Sequence, residues 1–198
     1  MYGKDANGVS RPPLIDSSRR LITMSGGGKY RESTLAGREY FAFCQIQDVA
    51  LYNATDAIGL IVHNPALSGV NLVWHLWAAQ VTIESAAMTG MVLAVATQLT
   101  VPTSVTAATL TGRTLLTASA GLVGGIAKAY SIATILAPVI VWPLFQNAVA
   151  LDTEGSELIC GDLDGAFASA PGTATVMGAF GAAGVDVNLG ITWEEVPI

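Results

Sequence analysis

The sequence of 198 residues is short of charge, histidine and cysteine, and each shortage narrows what the protein can be. Charged residues make up 12% of the chain, about half the usual share of a soluble domain. Apolar surface therefore remains beyond what one small core uses, and a membrane or further copies of the chain must cover it. Histidine, the usual acid or base near neutral pH, occurs only as His63 and His75. Neither belongs to a His-Glu-x-x-His pattern, and Cys-x-x-Cys and Gly-x-Ser-x-Gly are absent too. The chain reads as a non-enzyme without metal or cofactor. Cys44 and Cys160, the only cysteines, lie far apart and form neither a disulfide framework nor a metal pattern. They read as two small buried apolar residues.

Long unbroken apolar runs are missing as well. The most apolar stretch, residues 121–145, contains Lys128, opens on Gly121, Gly124 and Gly125, and closes on Pro138 and Pro143. A spanning helix needs about 20 uninterrupted apolar residues, and the β-branched residues here favour strands. The polar, glycine-containing start of the chain lacks the apolar core of a signal peptide. No membrane is expected, and oligomerisation becomes the explanation for the excess apolar surface.

What the sequence does contain is a sharp division of charge. Lys4, Arg11, Arg19, Arg20, Lys29, Arg31 and Arg38 precede residue 39 with only Asp5, Asp16 and Glu32 as counterweights, a net +4, whereas residues 39–198 carry two cations against twelve acids, a net −10. Residues 1–38 also hold Pro12-Pro13, Gly26-Gly27-Gly28 and little to pack apart from Leu14-Ile15 and Leu21-Ile22. Such a segment is an extended arm. Gly26-Gly27-Gly28-Lys29 lacks the spacing of a phosphate loop and reads as a hinge. Seven dispersed cations on an acidic body make a poor nucleic-acid surface, so no nucleic acid is expected as a partner.

From Glu39 onward the pattern is one of short strands. Val185, Val187, Leu189, Ile191 and Trp193 alternate with polar or small residues, a strand with one buried face. Further strands are expected near 40–46, 57–63, 70–77, 90–97, 138–145, 156–160 and 173–181, with turns such as Asn64-Pro65 and Ala170-Pro171-Gly172 between them. The run from Val70 to Trp77 is apolar on both faces, which marks Trp74, His75 and Trp77 as subunit-interface candidates. Residues 98–125 read as a loop, a short helix or an extra hairpin. Asp162-Leu163-Asp164-Gly165 starts like a calcium loop but lacks its later ligands. Many strands without an amphipathic helix predict an all-β fold, an antiparallel jelly-roll β-sandwich over residues 39–198 behind an arm of residues 1–38.

Two strings resemble small structural proteins of tailed-phage virions: His63-Asn64-Pro65-Ala66-Leu67-Ser68-Gly69-Val70-Asn71-Leu72-Val73 and the closing Gly190-Ile191-Thr192-Trp193-Glu194-Glu195. The resemblance implies a jelly-roll homotrimer on the outer surface of the virion capsid, a decoration or cement protein with the major capsid protein as partner. It supplies no catalytic residues and fixes no individual arm residue. Charge and apolarity nominate Arg11, Leu14, Ile15, Arg19, Arg20, Lys29 and Arg31 as the capsid-binding set. The alternative is a receptor- or glycan-binding module of a tail or head fibre, using exposed loops and aromatic side chains of the same sandwich.

Overall fold

Alternation every second residue builds most of the strands, and a bulge in one of them brings two tryptophans to the same face. A computed structural model describes residues 3–4, 10–11, 30–49, 56–83, 88–104, 109–110, 113–114, 125–146, 158–181 and 185–198. Among the described residues a short helix, α1 (Arg31–Leu35), precedes the strands β1 (Glu39–Val49), β2 (Asp56–Asn64), β3 (Val70–Ile83), β4 (Met88–Thr97), β5 (Lys128–Leu136), β6 (Val139–Gln146), β7 (Leu158–Asp162), β8 (Ala168–Ser169), β9 (Thr173–Gly181) and β10 (Val185–Pro197). The chain is all-β, with two antiparallel sheets. Among the described residues no helix is long and apolar enough to cross a membrane.

The first sheet has the order β7-β3-β10-β1, with β8 also pairing β3; the second has the order β6-β4-β9-β2-β5. Every pairing is antiparallel. The expected strands all have counterparts, and β5 is an addition that the sequence pattern did not separate from its apolar surroundings. Within the connection left open at 98–125, Thr103–Ser104 and Thr109–Leu110 pair with β5, while Arg113–Thr114 pairs with β1. The connection thus lines the last strand of both sheets, and β6 and β7 stand at the opposite ends of the two strand orders.

The main core contains Leu72, Trp74, Trp77, Val187, Leu189, Ile191 and Trp193 from the first sheet and Leu60, Met91, Leu93 and Met177 from the second. Both Trp74 and Trp77 belong to it although they lie three positions apart, a spacing that puts strand residues on opposite faces. Trp74 pairs with Trp193 and Trp77 with Ile191, so β3 has one residue more than β10 between the pairs. This bulge reverses the parity of β3. The second sheet is apolar on its other face too, where Ile61, Ala94, Tyr130, Ala133, Ile135 and Val176 form a separate buried cluster.

Contacts divide the chain into Met1–Arg31 and Glu32–Ile198. The segment just before β1 is tied to the larger unit: Ser33 Oγ donates to Glu39 Oε2 (3.0 Å), and the Glu195 amide donates to the Arg38 carbonyl (2.9 Å). Seven residues that the sequence pattern places in the arm, 32–38, thus fall within this unit.

Candidate functional site

The face of the first sheet opposite the main core holds most of the chemistry. Glu39, Phe41 and Phe43 alternate on β1 with the core residues Ala42 and Cys44. Antiparallel register sets Glu194 against Glu39, Thr192 against Phe41 and Gly190 against Phe43. Gly190 also pairs with Ala78, and Ala78 with Cys160. Phe43, Gly190, Ala78 and Cys160 therefore form one row across four strands. With Phe41, Leu76 and Asp162 they line an apolar groove with a cavity volume of about 690 Å³. Gly190 has no side chain to fill its middle, and Phe43 and Leu76 remain exposed. Asn188 Nδ2 donates to Gln80 Oε1 (3.2 Å) in the next row.

At the other end of this face lies a buried polar cluster. His75 Nδ1 is 2.8 Å from Glu39 Oε1 and 3.0 Å from Oε2, with both residues almost fully buried. Arg38 Nε donates to Glu194 Oε1 at 2.9 Å. One ligand atom from each of Glu39, His75 and Glu194 lies within 4.8 Å of the others. Spacing along the chain gave no sign of this grouping, because the three residues meet only through register and the β3 bulge. The Leu76 amide in that bulge donates to Thr192 Oγ1 (2.9 Å), which pins the distortion.

The other residues singled out in the sequence occupy different settings. Trp74 is fully buried, and its Nε1 donates to Ser169 Oγ (2.8 Å). Trp77 packs inward against Gly161, where an added Cβ would meet the indole. Of the interface candidates only His75 lies on the outer face, and it is covered. His63 is buried and donates through Nε2 to the Gln98 carbonyl (2.9 Å). Asp162 Oδ1 accepts the Asp164 amide (2.7 Å), and the Leu163 amide donates to the His75 carbonyl. This acidic turn braces the bulge. Cys44 is buried, Cys160 is exposed, and both thiols are free.

Arg11 belongs to a two-residue pairing of Ser10–Arg11 with Gly3–Lys4, and Arg31 begins α1. Leu14, Ile15, Arg19, Arg20 and Lys29 lie outside the described residues, as does the glycine hinge.

One further surface was not singled out. Edge strand β6 exposes four consecutive apolar residues, Val139, Ile140, Val141 and Trp142. No residue of Val139–Gln146 is charged, and register shifts interrupt its pairing with β4 on either side of Trp142 and Pro143. The signal was present as an apolar run, but its exposure followed only from its place at the sheet edge. In comparisons with known proteins, no family model, curated protein or solved structure matches the chain.

Proposed function

We propose that this is a non-enzymatic, self-assembling virion protein: a jelly-roll homotrimer that decorates and cements a phage head through its N-terminal arm. The jelly-roll reading rests on strand order. Setting aside β5 as an added strand and the two-residue β8, the chain runs β7-β3-β10-β1 against β6-β4-β9-β2, two four-stranded sheets with the crossovers of paired Greek keys.

The observation that carries self-assembly is the uncharged apolar edge at Val139–Trp142. An open apolar edge invites pairing with another chain, and a closed oligomer covers it without propagating aggregation. Three copies are what the phage-protein resemblance implies. Three arms on one rigid body would then bind with far greater avidity than one, and their cations suit an acidic capsid surface.

Deleting residues 1–29 tests the attachment while sparing Ser33 and Arg38, which brace β1. Light scattering should report an unchanged trimer, and co-sedimentation with capsids should be lost. Capsid binding at undiminished occupancy would overturn the role of the arm; a monomeric full-length chain would overturn the assembly itself.

A further inference from the structure

We propose that Glu39, His75 and Glu194 form a binding site for one divalent transition-metal ion of the zinc type. Their ligand atoms converge within 4.8 Å from three adjacent strands, β1, β10 and β3. One imidazole nitrogen with two carboxylate oxygens is a donor set suited to zinc, which leaves further positions for water. Ligand atoms around a tetrahedral zinc stand about 3.3 Å apart, given bonds of about 2.0–2.1 Å. Glu39 and His75 are already at 2.8–3.0 Å, so most of the adjustment falls to Glu194.

Charge and support favour the same assignment. Arg38 is bonded to Glu194, while Glu39, only 1% exposed, has Ser33 and His75 as its side-chain partners. Two carboxylates converge on this cluster, and a divalent cation would supply positive charge to both. Ser33 Oγ donates to Glu39 Oε2 at 3.0 Å, the outer hydrogen bond that orients a ligating carboxylate. Arg38, with its side chain 46% exposed, is placed to leave Glu194 when the ion arrives. The ion would staple β1 to β3 and β10 at the root of the arm. This inference stands apart from the virion reading and is tested without capsids.

The test uses the full chain, stripped with chelator and titrated with zinc chloride, with calorimetry for stoichiometry and thermal unfolding for stability. One ion per chain is expected, with Tm raised by about 5–10 °C at a hundred times the dissociation constant. Glu194→Gln should weaken binding at least tenfold, while Arg38→Ala, which removes the competitor for Glu194, should leave it unchanged or tighten it. Both side chains are partly exposed, so the result does not depend on whether His75→Gln folds. Absence of a saturable site, saturable binding that Glu194→Gln leaves intact, or an Arg38→Ala variant that loses zinc as Glu194→Gln does would each overturn the proposal.

Discussion

Trp74 and Trp193 are register partners on β3 and β10, both fully buried, with ring centroids 6.1 Å apart and planes tilted by 50°. Phe167 stacks on Trp74 at 6.0 Å and Tyr40 on Trp193 at 6.1 Å, so the pair joins a row of four aromatic rings. The Trp74 indole also anchors a hydroxyl relay, since Ser169 Oγ lies 2.8 Å from Thr175 Oγ1 on the second sheet.

Trp74→Ala should cost about 3–5 kcal/mol, the usual range for emptying a buried aromatic site. Trp74→Phe should cost less, because it restores most of the volume while losing the indole donor. Urea unfolding of both variants measures this; equal and small losses would mean that the ring is not the centre of the core.

Glu195 secures the start of β5. Its two carboxylate oxygens accept the amides of Ile126 (3.0 Å) and Ala127 (2.9 Å), and an added Cβ at Gly125 would run into the carboxylate. Glu195→Gln presents one donor where an acceptor is needed, so a loss on the order of 1–3 kcal/mol is expected. Hydrogen exchange at Ile126 and Ala127 should accelerate while exchange in β10 stays slow. Unchanged protection at both amides would contradict this role.

The two thiols should behave differently. Burial pushes the Cys44 thiol up to about 12, whereas Cys160 is exposed on β7. At pH 8 a thiol reagent should label one cysteine in the native protein, and Cys160→Ser should abolish that labelling. The raised value also fixes the sign of alkaline destabilisation. The unfolded chain loses its Cys44 proton near pH 9 and the folded chain only near 12, so stability falls across that interval. Burial holds Tyr40 and Tyr130 above their usual value as well, and both add to the loss. A Cys44→Ala variant should lose less stability between pH 8 and 11 than the parent, measured by denaturant titration.

Val141→Lys places a charge on the β6 edge at a partly exposed position. Folding stability should change by no more than about 0.5 kcal/mol, as for an ordinary surface substitution, while light scattering should show the proposed oligomer dissociating. A variant that stays assembled would move the interface away from β6.

Strands with one wet face were legible in the sequence: β10 shows its core side as Val187, Leu189, Ile191 and Trp193 with little else possible. β5 was hidden because Ala129, Tyr130, Ala133 and Ile135 are buried on both faces of a sheet, and two-sided burial removes alternation. The β3 bulge misled in the opposite direction. Trp74 and Trp77 have the spacing of opposite faces, yet one extra residue turns both inward and leaves His75 on the outside. The Glu39, His75 and Glu194 cluster depends on that bulge and on the pairing of Glu39 with Glu194, 155 positions apart in sequence. No local motif can announce such a site.

The most direct test of the central claim is the copy number of this chain relative to the major capsid protein in purified phage particles, measured by quantitative mass spectrometry. A decoration trimer predicts abundance of the same order as the capsid protein, and a loss of signal from particles carrying the 1–29 deletion. A handful of copies per particle, or none, would contradict it.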